Sequence, residues 1–250
     1  MVAAGTAGEP TPTPDGGMGE FDGGTDPNRN KVQAGGICER LTTLQCAGEA
    51  HCCSNAGRTF AQCRSELMNE CTTQLYMDDL AKNSATGFSA AQAELALARF
   101  EQQASTCDPN AILWPLLAAD GLRGMFQGTR PPGQQCRPGG LASVLNYGVA
   151  LASCAQIGTH ACLFTGNGPI AAPENATCAA RADVGATCYV DTNCKDDAYC
   201  ANPQEKYSSG KCTARKAIGT ACSNGIECVK QVCTGGMCAE PTAQDTWCWK

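Results

Sequence analysis

From Cys178 to Cys248 the cysteines of this chain are periodic, and a periodic cysteine pattern leaves few folds open. The segment CAARADVGATC from Cys178 and the segment CTARKAIGTAC from Cys212 match at Cys, Ala, Arg, a β-branched residue, Gly and the closing Cys. The same ten-position step recurs from Cys238 to Cys248. Between these joints lie two modules, with cysteines at Cys188, Cys194, Cys200 and Cys212 and at Cys222, Cys228, Cys233 and Cys238. Both read G-x-x-C-x5-C-x4 or 5-C, then a loop, then C. Chance does not reproduce a spacing together with its flanking residues, so this is an internal repeat. Gly133-Gln134-Gln135-Cys136 opens in the same way, which makes Cys136, Cys154, Cys162 and Cys178 a first module, enlarged by an apolar insertion from Leu141 to Leu151 that reads as a short helix. Trp247-Cys248-Trp249-Lys250 either starts a truncated fourth module or closes the chain back onto an earlier part.

Twenty cysteines in 250 residues place the chain at the edge of the disulfide-scaffold range. Six Phe, three Trp and five Tyr are too few for one large apolar core. Cross-links must therefore carry part of the stability, at roughly 3 kcal/mol for a bridge closing a loop of about 15 residues. Such bridges persist only in an oxidising compartment, which is extracellular, periplasmic or lumenal. A net charge of −6 argues against nucleic acid or an anionic membrane as partner, because both require a basic patch. The longest apolar run, Ala111 to Ala119 around Pro115, falls far below the roughly 20 residues that span a bilayer. Met1-Val2-Ala3-Ala4 lacks the basic start and apolar stretch of a signal peptide, so the chain is read as mature or truncated.

Residues 1–36 hold nine Gly, four Pro and four Thr but no Cys, too little apolar surface to offset the entropy of ordering. They read as a disordered leader or tether; the competing reading is a donor arm ordered against a neighbouring subunit. From Ile37 to Cys107 the pattern is helical. Thr59 to Gln62 and Ser89 to Gln92 both have the capping-box form, and Phe88 precedes the second as a hydrophobic staple would. Ala93, Leu97, Phe100, Ala104 and Cys107 fall on one helix face, which reads as core. Cys38 and Cys46 are eight apart, as are Cys63 and Cys71. Eight helical residues rise about 12 Å and return to within roughly 80° of the same direction, so one reading is two antiparallel helices joined by Cys46 with Cys63 and Cys38 with Cys71. The alternative is a first helix too short or irregular for such a ladder. Cys52 and Cys53 sit in the connection, with Cys107 the obvious partner for one of them. Asp108-Pro109-Asn110 has the form of a further helix start, with Trp114-Pro115 as a kink. Arg130-Pro131-Pro132-Gly133 marks the boundary with the cysteine-rich part. Seven cysteines precede Cys136 and thirteen follow from it, so complete pairing requires a bridge between the halves, and Cys248 is the first candidate. Inside the modules, crossed bridges from Cys188 to Cys200, Cys194 to Cys212, Cys222 to Cys233 and Cys228 to Cys238 are favoured, although four cysteines allow three pairings.

No two cysteines are separated by two residues, which removes C-x-x-C redox sites, zinc knuckles and haem attachment. The two histidines, His51 and His160, lie beside cysteines in framework loops, outside any nucleophile-elbow or papain-like context. There is no phosphate loop and no dinucleotide fingerprint. Asp78-Asp79 and Asp196-Asp197 read as solvated turns or helix ends rather than calcium contacts, and Asn175-Ala176-Thr177 is a glycosylation acceptor by pattern. No catalytic residue, cofactor or metal ligand is therefore assigned.

The modules joined by Cys-x9-Cys, the Cys38-x7-Cys46 pair, vicinal Cys52-Cys53, the helix from Phe88 to Cys107 and Phe126-Gln127-Gly128-Thr129 before the first G-x-x-C together resemble the Dickkopf N-terminal-type cysteine-rich repeat proteins. These are known as uncharacterised exported proteins and lipoproteins of myxobacteria and related bacteria. The resemblance covers roughly residues 37–248 and implies a secreted or outer-envelope location in a bacterium, with no catalytic residue to carry over; no lipobox cysteine is visible. The expected fold is small and disulfide-rich: a leader over 1–36, an α-helical N-terminal part over 37–130, then tandem disulfide-stapled modules of short β-hairpins and loops over 131–250, at 136–178, 188–212 and 222–238. The expected role is a non-catalytic extracellular or cell-envelope protein that binds other proteins or serves as a structural subunit of a surface assembly, self-assembly included. The alternative is a secreted protease inhibitor or receptor-ligand-like module presenting the loop from Asn202 to Gly210.

Overall fold

The structure, a computed structural model, describes residues 32–54, 57–111, 122–136, 144–156, 158–163, 176–188, 191–201 and 209–248. The N-terminal segment through residue 31, residues 112–121 with Trp114-Pro115, Asn175 and most of the 202–210 loop lie outside them. Residues 32–36 already belong to the body, with Val32 and Ala34 half-buried on the helical core and the Val32 amide donating to Glu94.

The helical part contains α1 (Ile37–Cys52), α2 (Phe60–Thr73), α3 (Met77–Lys82) and α4 (Ala90–Thr106). Gly36 provides no side-chain cap for α1. Asp78, on the first turn of α3, supplies it instead, its Oδ1 accepting from the amides of Ile37 (3.0 Å) and Cys38 (3.1 Å). One half of the acidic pair is thus a helix cap in trans, while Asp79 pairs with Lys82 at 3.8 Å. Thr59 and Gln62 form the reciprocal capping box that starts α2. At α4 only half of that box exists: the Ser89 hydroxyl accepts from Gln92, but the Ser89 amide donates to the Met125 carbonyl at 2.8 Å. The reason lies in tertiary pairing, because residues 125–129 run beside residues 85–89 and take that donor first. Phe88 lies against Phe126, ring centroids 6.1 Å apart.

The core of this part is built from Ile37, Leu41 and Leu44 of α1, Met77 and Leu80 of α3, Ala93, Leu97, Phe100 and Ala104 of α4, and Met125 and Phe126. Cys107 ends α4 in a left-handed conformation. The helix expected from Asp108 does not begin there. Residues 108–110 form a turn in which the Asp108 carboxylate accepts the Asn110 amide at 2.8 Å, an interaction that holds its pKa below the usual carboxylate range. The Asp108 carbonyl accepts the Ala111 amide at 3.1 Å and, with the Pro109 carbonyl, also accepts side-chain donors from the C-terminus.

Helix α5 (Val144–Ser153) fills the insertion of the first module. Val149 and Ala152 enter the helical core, whereas Ala150 packs with Cys136, Cys154, Cys162 and Cys178. One short helix therefore lies between the two parts, with its faces divided between a side-chain core and a cystine core.

The strands are short and antiparallel. β1 (His160–Leu163) pairs with β2 (Thr177–Ala180). β3 (Thr187–Cys188), β4 (Ala198–Ala201) and β5 (Gly210–Ala214) form one sheet in the order β3-β5-β4. β6 (Cys233–Thr234) and β7 (Met237–Cys238) form the last hairpin. The chain ends in α6 (Ala243–Trp247), which returns to the helical part with Trp247 wholly buried.

Candidate functional site: three disulfide modules and their joints

All twenty cysteines lie within the described residues and form ten disulfides. In the helical part Cys38–Cys71 and Cys46–Cys63 cross-link α1 to α2 as two rungs. The vicinal cysteines diverge, Cys52 to Cys107 and Cys53 to Cys248. Each module pairs its first cysteine with its third and its second with its fourth: Cys136–Cys162 and Cys154–Cys178, Cys188–Cys200 and Cys194–Cys212, Cys222–Cys233 and Cys228–Cys238. The two cystines of a module stack closely. The sulfurs of Cys136, Cys154 and Cys178 lie within 4.8 Å of one another, as do those of Cys188, Cys194 and Cys212, and of Cys222, Cys228 and Cys238. Because each of these sulfurs is already bonded to another, the clusters mark packed cystines rather than ligand sets.

The backbone around the cystines is as repetitive as the cystines. Gly133, Gly185 and Gly219 take φ of +83°, +90° and +81°, each at the third position of a turn closed by Gln134 N–H on Pro131 O (3.1 Å), Ala186 on Asp183 (3.0 Å) and Thr220 on Ala217 (3.1 Å). Only this third position has positive φ, which defines a type II turn and explains why the repeat needs glycine there. Each of these glycine amides then donates to the carbonyl of its module's last cysteine, Cys178, Cys212 and Cys238, at 2.7, 2.7 and 2.8 Å.

The joints follow a rule as well. Three residues after the last cysteine, the amides of Arg181 and Arg215 each donate back into the preceding module, to Thr159 O and Asp197 O, both at 2.9 Å. The next residue reaches forward: Ala182 bonds Asn193 O (2.7 Å) and receives Lys195 N–H (3.1 Å), and Lys216 bonds Glu227 O (2.6 Å) and receives Val229 N–H (3.0 Å). Arg130 makes the same pair of bonds with Ser153 and Ala155 and so ties the first module to the segment leaving the helical part. Backbone hydrogen bonds on both sides hold each module at a fixed angle to the next.

Side chains reinforce these joints. The Arg181 guanidinium is buried and pairs with Asp196; its burial pushes its pKa down. The Arg215 guanidinium donates to the Asp196 carbonyl (3.1 Å) and to the Ile226 carbonyl, and so touches both modules it connects. Lys216 and Glu227 form an ion pair in which the lysine is held above its usual pKa and the carboxylate below. The repeated Arg was visible in the sequence three residues after Cys178 and Cys212; its role as a joint needed the neighbouring module's carbonyls, which are remote in sequence.

The type II turn also places one side chain at an outward corner of each module. Pro132, Val184 and Ile218 occupy the same second turn position, and all three are exposed, Val184 by 56% and Ile218 by 46%. In the third module Ile226, Val229 and Met237 are exposed as well. His51 lies in the last turn of α1 and His160 opens β1, where its Nδ1 is 2.9 Å from Thr159 Oγ1, so the two histidines belong to separate elements.

No protein-family model, no curated protein and no solved structure matches the chain. What the geometry defines is a small disulfide-rich protein of helices and short antiparallel strand pairs. Its heavy cross-linking points to an extracellular or secreted setting. Among the described residues no helix is long and apolar enough to cross a membrane, which is compatible with that setting.

Proposed function

We propose that the protein is a non-catalytic cysteine-rich component of a bacterial cell surface or its surroundings, of the Dickkopf-type repeat class, acting by binding other proteins or as a structural subunit of a surface assembly. The observation that carries this reading is the fixed-angle array of three modules, each presenting an apolar or proline corner at the same turn position. Repetition of an exposed contact on a rigid support is what multivalent binding requires, since the spacing of the corners is set before the partner arrives. The consumption of every cysteine in disulfides supports the non-catalytic part, because it leaves no thiolate to act as nucleophile or ligand.

The test is the solution mass of the native, unreduced chain over a range of concentrations, alongside a broad hydrolase panel. We expect self-association that weakens in Val184→Asp/Ile218→Asp while the disulfide map is unchanged. A native chain that stays monomeric throughout removes the self-assembling subunit. Hydrolysis that disappears on His51→Ala or His160→Ala overturns the non-catalytic reading.

A further inference from the structure

Cys238 closes the third module, and the chain then runs through Ala239, Glu240, Pro241 and Thr242 into α6 and Cys248. This strap grips the helical part at few points. The Trp247 ring is 1% exposed, stacks on Phe100 with centroids 5.5 Å apart, and lies directly over Gly48. A Cβ on Gly48 would stand 2.4 Å from the indole, so glycine there is the floor of a groove shaped for this ring. The indole Nε1 donates to the Asp108 carbonyl at 3.1 Å, and Thr246 Oγ1 donates to the Pro109 carbonyl at 2.7 Å. One covalent latch, Cys53–Cys248, completes the attachment. A single buried aromatic anchor in a pocket, rimmed by hydrogen bonds and exposed residues such as Glu240 and Asp245, is how a peptide binds a groove.

At its other end the strap is joined to the third module by the Ala239 amide, which donates to the Val232 carbonyl at 3.1 Å, and the joint seen between modules is missing beyond it. Pro241 stands three residues after Cys238, where Arg181 and Arg215 stand after Cys178 and Cys212, and proline has no N–H to donate backward. The Thr242 amide, which by the joint rule would reach the next module, is taken by Asp245 inside the capping box of α6 at 3.2 Å. The array therefore stops at Pro241, and α6 carries its own cap as a unit. Proline also favours an extended Glu240, and Glu240 is exposed.

We infer that this strap is exchangeable between two copies of the chain, α6 and Cys248 of each seating in the groove of the other, with Cys53 of one copy bonded to Cys248 of its partner. The groove and its ligand are present in every copy, so the exchanged contacts equal the intrachain ones and the pairing closes as a two-fold dimer. The chemistry balances without net oxidation. A small thiolate attacks Cys248 Sγ, the bond to Cys53 breaks, and Cys53 leaves as thiolate while Cys248 forms a mixed disulfide with the small thiol. A second small thiolate opens the other copy in the same way and frees its Cys53, which attacks Cys248 Sγ of the first copy while the first copy's Cys53 attacks Cys248 Sγ of the second. Two bonds are broken, two are formed and both small thiols are regenerated. As the choice of partner, the second copy rests on the assembly reading above; the exchange does not.

The experiment mixes equal amounts of light and 15N-labelled full-length chain at high concentration with a catalytic amount of glutathione. It is quenched by alkylation and read by peptide mass mapping without reduction. We expect Cys53–Cys248 peptides that join one light and one heavy half, approaching half of that linked pool, together with a covalent dimer, while the other nine cystines stay unmixed. Trp247→Ala should abolish the mixing and retain the helical circular dichroism signal. Linked peptides that remain all light or all heavy overturn the inference, and so does mixing spread over all ten cystines, which is general scrambling. A sample without thiol that is monomeric at every concentration counts against the assembly reading alone and leaves the exchange result standing.

Discussion

The helical part and the module array solve the same problem with opposite means. The helical part buries Ile37, Leu41, Leu67, Met77, Leu80, Leu97, Met125, Phe126 and Trp247, and its four disulfides span 17, 33, 55 and 195 residues. The array spans no more than 26 residues with any bridge, and the core of its second module is Cys188, Cys194, Ala198, Cys200 and Cys212 with Ala182 beside it. In the third module Cys222 and Cys233 are only half-buried. Where a side-chain core exists, cross-links add to a structure that packing already defines. Where the core is the cystine itself, the cross-link is the structure.

That contrast is sharpest under cystine removal. Cys194→Ser/Cys212→Ser should cost about 3 kcal/mol by loop entropy and unfold residues 188–212, since among the described residues the core there is Ala198 and Ala182 beside the cystines themselves. The matched loss of Cys38 and Cys71 should leave α1 and α2 helical. Limited proteolysis without reductant reads both, and a second module that stays protease-resistant would break the comparison.

Trp247→Ala tests the helical side. Truncating a buried Trp costs about 3–5 kcal/mol, and the loss should appear as lower hydrogen-exchange protection in α1 and α4 with the β4-β5 hairpin unchanged. If protection in the hairpin falls equally, the two parts form one cooperative unit. A smaller effect is expected at the repeated turn. Gly185→Ala or Gly219→Ala forces an L-residue to φ near +90° or +81° at a cost of about 1–2 kcal/mol. Among the described residues nothing lies within 4 Å of either added Cβ, so the change isolates backbone strain from packing. The denaturation midpoint of each variant should fall without any change in disulfide map.

The smallest effect is the pH response of the last joint. Glu227 has its pKa lowered by the Lys216 ammonium, so its contribution is present above the unfolded carboxylate value and is lost as pH falls through the still lower folded one. NMR titration from neutral to acidic pH should therefore show the amides of Lys216 and Val229 shifting below the ordinary Glu range, while those of the Thr59–Gln62 cap do not.

Local features of this fold were legible in the chain itself. The equal cysteine steps, the G-x-x-C opening, the ladder spacing of Cys38, Cys46, Cys63 and Cys71, and the apolar face of α4 all act over a few turns or one short loop, where covalent geometry and helical period leave little choice. The expectation that Cys248 leads back to the N-terminal half came from counting alone. Which of Cys52 and Cys53 receives it depended on α1 ending with the two cysteines on different sides. Ser89 kept half of its cap because the Met125 carbonyl, 36 residues away, claimed its amide, and the helix expected at Asp108 gave way to a turn whose carbonyls hold the C-terminus. The joint role of Arg181 and Arg215, the division of α5 between two cores and the seat of Trp247 over Gly48 were likewise settled only by tertiary structure. Spacing in sequence encodes which groups can meet within a loop. Which distant donor finds which carbonyl, and which gap fits an indole, depends on how whole elements pack, and that information resides in shape rather than in order.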